Sequence, residues 1–285
     1  MPHRSDNKEF VEALARGLDV IRAFNEFNPL RTVSDLAAEL DLARPTVHRI
    51  LQTLERLGYV VQSDRGYYLS AKVVDLGFGY IASRGFYGAA RVHLEKLAAQ
   101  IDQAVAITEL IDSDIVYVGR VEVPKILAYN AAIGQRLPAH STSPGRLLLS
   151  DLSEEELDRR LAIPSLSNVQ PMVTLPMEQL KTEIAKIRSQ GWAMTDQTMS
   201  VGYRAAATPI FDATNTMVAA LSIIVHASEF THDYLKNEVL PLLLATSARI
   251  TEDFVAMAKL PRKRIAHVER GYVTFTANAS TSPSA

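Results

Sequence analysis

The sequence contains no cysteine. That excludes disulfides, thiolate metal sites and a cysteine nucleophile. No apolar run approaches the roughly 20 residues a membrane-spanning helix needs. The opening residues, MPHRSDNKEF, lack the apolar segment of a secretory signal. These absences lead us to expect a soluble, cytoplasmic protein with no membrane partner. An excess of charge of either sign is missing too. Thirty Lys and Arg face 32 Asp and Glu, for a net charge of −2, so bulk charge does not announce a nucleic-acid partner. There is no GxSxG elbow, Walker loop or GxGxxG fingerprint. The seven histidines are scattered, with no pair at metal-ligand spacing on one element. His140 beside Ser141, Thr142 and Ser143 invites a hydrolase reading. Adjacent residues rarely form a nucleophile–base pair, however, and no acid is placed to orient the His. We therefore expect no metal, no cofactor and no catalysis. The rival reading is a small-molecule-binding, hydrolase-type enzyme with an accessory helical domain.

A length of 285 residues and a hydrophobic content of 47% suit two packed domains better than one. The most informative stretch is Thr32 to Leu69, TVSDLAAELDLARPTVHRILQTLERLGYVVQSDRGYYL. Thr32 with Asp35 forms a short capping box. Val33, Leu36, Ala37 and Leu40 then give the first helix an inner face, and Asp41–Ala43 makes the turn. From Pro45, set at a first helical position where its missing N–H costs nothing, Val47, Ile50, Leu51, Leu54 and Leu57 recur at the spacing of one buried helical face. The opposite side holds Arg49, Gln52 and Arg56, flanked by Thr46, His48 and Thr53, with Arg44 at the start. These donors suit phosphate oxygens and guanine edges. Tyr59–Gln62 and Tyr67–Leu69 are rich in β-formers and are joined by Ser63-Asp64-Arg65-Gly66, where Gly66 is free to take a positive φ.

A basic-tipped hairpin after a helix-turn-helix is a winged-helix arrangement. In it the second helix enters the major groove and the wing meets the backbone. Arg49 is the first choice for a base-edge contact, beside Arg44, Thr46 and His48. Gln52 reaches a base or phosphate, and Arg65 the backbone or minor groove. Four arginines against Glu55 and Asp64 make the region only modestly basic. Binding should therefore need two reading heads on one palindromic duplex.

Before this stretch, Phe10, Leu14, Leu18 and Ile21, extended by Phe24 and Phe27, read as the inward stripe of a helix. After it, Ser70 can cap a linker helix (AKVVDLGFGYIASRG). From Gly88 the pattern changes. An amphipathic helix (Val92, Leu94, Leu97, Ala98, Ile101) leads into strand-like runs at Ala104–Ile111, Ile115–Val121 and Ile126–Ala132. A loop from Ile133 opens a short helix at Arg146–Leu149. Ser153 with Glu156 reads as a capping box, Ser165–Thr174 as irregular, and Met177–Gln190 as a helix stopped by Gly191. Strands follow at Trp192–Thr195, Ala205–Phe211 and Met217–Val225. A long helix from Thr231 to about Ala258 carries a kink at Pro241. Strands flanked by helices without repeated βαβ units indicate an α+β fold around a mainly antiparallel sheet. Residues 259–285, with Lys259, Arg262, Lys263 and Arg264, read as an extension. The expected organisation is a DNA-binding domain over 1–70, a linker helix over 71–87, a ligand domain over 88–258 and the extension.

The segments ALARGLDVIRAF and TVSDLAAELDLARPTVHRILQTLERLGYV resemble the N-terminal domain of the IclR family of bacterial transcription regulators. The likeness continues through IGQRLPAHSTSPGRLLLSDLSEEEL, QGWAMTDQTMSVGYRAAATPIFD and AALSIIV. The family variant that ALARGL and the loop before Gly145-Arg146 most resemble is the subgroup governing aromatic-acid catabolism, which includes regulators of protocatechuate, 4-hydroxybenzoate and β-ketoadipate pathways. The resemblance implies a winged-helix domain, a linker helix and a GAF-like effector domain, and dimers that pair into tetramers on operator DNA. It also implies an effector pocket bounded by the loop of Ser141, Thr142, Ser143, Gly145 and Arg146, by Thr195 and Gln197, and by Ala205 and Ser222–Ile224. Pro144, Ala205, Ile224 and Thr195 make this version of the pocket less polar than one that binds small keto acids, which suits a larger, flatter ligand such as an aromatic carboxylate. Arg146 or Arg204 would pair with its carboxylate, and Trp192, Tyr129 or Tyr203 would contact its ring.

Overall fold

A computed structural model of the chain describes residues 10–25, 28–84, 86–125, 129 and 131–258. The chain divides into two compact units, Met1–Tyr87 and Gly88–Ala285. Expectations for Phe27, Gly85, Ile126–Ala128, Asn130 and residues 259–285 lie outside the described residues.

The first unit holds helices α1 (Glu12–Arg22), α2 (Val33–Leu40) and α3 (Arg44–Arg56), the hairpin β1 (Val60–Ser63) and β2 (Gly66–Leu69), and α4 (Val73–Arg84). The capping box of α2 is present. Thr32 Oγ1 accepts from Asp35 N–H, and the Asp35 carboxylate accepts from Thr32 N–H at 2.9 Å. Asp41 ends α2 in the left-handed region, and α3 starts one residue earlier than expected. Ala43 is its N-cap, so Pro45 occupies the second helical position rather than the first. The change costs nothing, because N–H groups of the whole first turn lack intrahelical acceptors. Val47, Leu51 and Leu54 are buried. Leu57, expected on the same face, is 52% exposed, because α3 stops at Arg56.

The stripe on α1 needs a larger correction. Val20, Ala23 and Phe24 enter the core, whereas Phe10, Leu14 and Leu18 stay exposed. Only the last turn of α1 and the residues leaving it reach the apolar faces of α2 and α3. Arg31, itself buried, donates to the Ala23 carbonyl at 3.2 Å and pairs with Glu39. Its backbone also bridges Tyr67, N–H to O at 2.9 Å and the reverse at 2.8 Å, which lays a single antiparallel rung against β2. Gly66 lies beneath that rung with φ +143°, where a Cβ would come within 2.6 Å of the Arg31 oxygen. Ser70 forms a turn rather than the cap of α4. Its hydroxyl donates to the Gly58 carbonyl, and the helix starts at Val73.

The second unit begins in α5 (Phe86–Ile101) and is built on a six-stranded antiparallel sheet in the order β5-β4-β3-β8-β7-β6. Its strands are β3 (Val105–Ile111), β4 (Asp114–Val121), β5 (Arg136–Pro138), β6 (Ala193–Asp196), β7 (Tyr203–Phe211) and β8 (Met217–His226). The β3–β4 connection turns at Asp112, φ +57°. The β7–β8 connection turns where the Asp212 carboxylate accepts from the Thr214 and Thr216 N–H groups. Pro138 is tolerated because β5 is an edge strand. Of the expected strand at 126–132, the described Tyr129, Ala131 and Ala132 are not in a strand.

One face of the sheet carries α6 (Ser143–Leu149), α7 (Glu154–Leu161) and α8 (Met177–Gln190), with Leu147, Leu149, Leu157, Ile184 and Ile187 packed toward Ala106, Ala207 and Ala220. The other face carries α10 (Leu240–Ala258). Thr208 Oγ1 donates to the Leu243 carbonyl there at 3.3 Å, and His93 on α5 meets Asp253 on α10 at 2.7 Å. Val92 of the expected α5 stripe is 52% exposed, and Ala90 is buried in its place. α6 begins at Ser143, three residues before the expected start, because Thr142 Oγ1 caps it by accepting from Gly145 N–H at 3.1 Å. At α7 the box is one-sided. Ser153 caps Glu156 N–H, but the Glu156 carboxylate turns to Arg159 and Arg160 at 2.6 Å. α8 ends at Gly191, φ +77°. The C-terminal helix starts as a single turn, α9 (His232–Tyr234), and widens into one π-helical turn over Leu235–Val239 just before Pro241, which lacks the N–H that a regular turn would use. No helix among the described residues is long and apolar enough to cross a membrane.

Candidate nucleic-acid interface and ligand cleft

The buried stripe of α3 turns its other side outward. Arg44, Pro45, His48, Arg49, Gln52 and Arg56 are exposed there, and Thr46 is half-buried. Thr53 Oγ1 instead folds back onto the Arg49 carbonyl at 2.9 Å. Arg65 stands exposed at the tip of the hairpin, whose turn is closed by Ser63 Oγ donating to the Gly66 carbonyl at 3.0 Å. Among the described residues, the side chains of Arg44, Arg49, Gln52 and Arg65 have no hydrogen-bond or ion-pair partner. A row of unneutralised donors on one helix, with a basic hairpin tip in the same unit, can meet phosphate oxygens and base edges.

In the second unit a cleft opens on the α6 face of the sheet, in two adjoining lobes. Strand register explains its floor. Arg120, Ala106, Ser222 and Ala207 are successive partners across β4, β3, β8 and β7, and Ile224, Ala205 and Thr195 form the next row. Small side chains in the middle of both rows leave room for a flat molecule. Tyr117, Tyr129, Ser222 and Ile224 line both lobes. Tyr129 and Tyr203 meet edge to face at 5.6 Å. Burial raises the pKa of both Tyr117 and Tyr129, with Arg120 opposing it, so both phenols stay neutral at ordinary pH.

Of the sequence-expected ligand residues, Thr142, Ser143, Thr195, Arg204, Ala205, Ser222 and Ile224 line this cleft. Ser141, Gly145, Arg146 and Gln197 are not among its lining residues. Gly145 is packed so closely on the preceding 3₁₀ turn (Ala139–Ser141) that a Cβ would lie 2.2 Å from the Ala139 oxygen. Ser141 Oγ meets His140 Nδ1 at 2.7 Å. Gln197 Oε1 accepts from Gly202 N–H at 2.9 Å and shapes the loop into β7.

The two arginines expected to hold a carboxylate are both committed elsewhere. Arg146 is buried and donates from Nε to the His140 carbonyl at 2.8 Å. Arg204 pairs with Asp196 at 3.1 Å and donates from Nη1 to the carbonyls of Ala227 and Phe230 at 3.1 and 2.7 Å. Trp192 does not line the cleft and lies under Lys236, whose Nζ is 5.9 Å from its ring.

The cleft instead contains a cation that sequence reasoning missed, Arg120, together with Gln103, Tyr117 and Lys125. Arg120 was hidden by a β-bulge. Ile107 pairs with Gly119 but Thr108 pairs with Tyr117, so Val118 is an extra residue and the alternation of β4 reverses there. Simple alternation from Ile115 and Tyr117 would turn Arg120 away from the cleft.

A helix-turn-helix with a hairpin wing, in one chain with a sheet-borne ligand cleft, defines a ligand-responsive DNA-binding regulator. The chain belongs to the IclR family: residues 13–64 match the IclR helix-turn-helix domain, and residues 78–252 match the C-terminal domain of bacterial transcriptional regulator IclR. It is 34% identical over 240 residues to the Pca regulon regulatory protein of Pseudomonas putida, covering 84% of this chain and 82% of that protein. A solved regulator structure from Rhodococcus sp. RHA1 shares 36% identity with a TM-score of 0.74, over 88% of this chain and 100% of that one. The inducer-binding domain of the Acinetobacter PobR transcription factor, solved as a double mutant with 3-hydroxybenzoic acid, is 28% identical with a TM-score of 0.52, over 58% of this chain and 97% of that one. The protein is thus a DNA-binding transcription regulator with an effector-binding domain. These relatives are regulators and lend no support to the hydrolase reading.

Proposed function

We propose that the effector is an aromatic carboxylate bound in the cleft, and that it modulates binding to operator DNA. The observation that carries this reading is the floor of Ala106, Ala205 and Ser222 beneath tyrosine and aliphatic walls, a shape suited to a flat ring. Pro144 removes a backbone donor from the loop that faces it. The Pseudomonas relative bears the name of the Pca regulon, and the Acinetobacter domain carries 3-hydroxybenzoic acid. Thr142, Ser143, Thr195, Ala205, Ser222 and Ile224 are the direct contacts. Ser141, Gly145, Arg146, Gln197 and Arg204 hold the walls in place.

The recognition helix α3 enters the major groove. Arg49 reads a base edge, with Arg44, Pro45, Thr46 and His48 beside it; Gln52 reaches a base or phosphate, and Arg65 reaches the backbone or minor groove. Homodimers, paired as a dimer of dimers, engage a palindromic operator in the cytoplasm. The effector acts by its difference in affinity between two arrangements of the assembly. Calorimetric titration of the protein with benzoate-type acids tests the effector class. Saturable heat from them is expected, and heat only from glyoxylate or pyruvate would overturn it.

A further inference from the structure

The aromatic-acid reading leaves open which way the ligand lies. We infer that its acid group is bound by Gln103 and Arg120, in the lobe that α6 does not line, so that the ring's far side points to Thr142 and Ser143. This rests on the reading above.

The charged and polar groups of the cleft favour this end for the acid. The cationic side chains lining it are Arg120, Lys125 and Arg204. Lys125 lies between two acids, 3.2 Å from Asp102 and 3.4 Å from Glu229. Arg204 is spent on Asp196 and two carbonyls. Arg120 also has an acid beside it, but unlike the other two it keeps a buried N–H with no acceptor among the described residues. Its side chain is 7% exposed, and Nη2 donates to the Tyr129 carbonyl at 2.6 Å. Its Nε is buried with no hydrogen-bond partner among the described residues. Glu122 forms an ion pair with that Nε at 3.3 Å without a hydrogen bond, and its side chain is 73% exposed. Gln103, 5% exposed in the turn before β3, has a buried Nε2 that likewise lacks an acceptor. Two buried donors without acceptors are costly, and their residues line one lobe. A carboxylate brings two oxygens and a compensating charge, which satisfies both donors at once. The opposite lobe offers hydroxyls, including the buried and unpartnered Ser143 Oγ, and no cation with an unmet buried donor among the described residues. That end suits a neutral ring substituent.

The test is calorimetric titration of the full chain with 4-hydroxybenzoate and with its uncharged analogue 4-hydroxybenzamide. Arg120→Gln is expected to weaken the acid about 30-fold while leaving the amide within roughly threefold. Gln103→Leu, which touches no ion pair, is expected to weaken the acid about fivefold. Native-like melting of Arg120→Gln with unchanged affinity for the acid would overturn the assignment, as would equal losses for acid and amide. If Arg120→Gln fails to fold, unchanged acid binding by Gln103→Leu overturns it alone. An absence of binding by any benzoate to the unmodified protein would instead overturn the aromatic-acid reading, and this assignment with it.

Discussion

Arg204 and Asp196 are register partners across β7 and β6, and Arg204 Nε sits 3.1 Å from Asp196 Oδ1. The same guanidinium also ties the end of β8 down through the carbonyls of Ala227 and Phe230. These bonds tie β6, β7 and the end of β8 together at the rim of the cleft. Arg204→Ala leaves one carboxylate and two carbonyls without their donor. It should cost roughly 2–3 kcal/mol of stability, read from denaturant unfolding. An effector affinity lost without any loss of stability would instead make Arg204 a ligand contact.

Gly145 has no room for a methyl group. A Cβ there would lie 2.2 Å from the oxygen and 2.3 Å from the Cα of Ala139. Gly145→Ala must push α6 away from the 3₁₀ turn and distort the cleft wall. We expect at least about 3 kcal/mol of destabilisation and loss of effector heat. A thermal melt alongside titration checks both.

On α3, Arg49→Ala should weaken operator binding by about 1–3 kcal/mol and relax preference at one base position. Fluorescence anisotropy against a panel of single-base operator variants reads this out. A uniform loss on every sequence would reassign Arg49 to a phosphate.

His140 is held below its ordinary pKa, chiefly by burial and then by Arg146, with Asp114 opposing. Its folded value is therefore lower than its unfolded one, and the unfolded chain binds more protons between the two. The resulting contribution is fully present above the unfolded value of 6.5 and is lost as pH falls through the lower folded value. Melting temperature should fall more steeply on acidification in the unmodified protein than in His140→Gln. Parallel curves would contradict this.

Local chemistry made much of the fold legible. Thr32 and Asp35 announced a cap, Gly191 a helix end, and Asp212–Asn215 a hairpin, because each acts within a few residues of itself. The outward side of α3 followed from helical period alone. What could not be read depends on partners distant in sequence. Arg146 and Arg204 looked like free cations until the carbonyls of His140, Ala227 and Phe230 came into place around them. The apolar stripe on α1 had the right period, but nothing local says which turn reaches α2 and α3. Arg120 was concealed by one extra residue, Val118, that reverses the alternation of β4.

Occupation of the cleft should change how α3 meets DNA. Anisotropy titration of the full chain on labelled DNA flanking its own gene, with and without saturating 4-hydroxybenzoate, tests it most directly. A several-fold shift in Kd is the expected result, with Arg120→Gln needing about 30-fold more acid to produce it. An identical Kd in the presence of an acid that demonstrably binds would contradict the account.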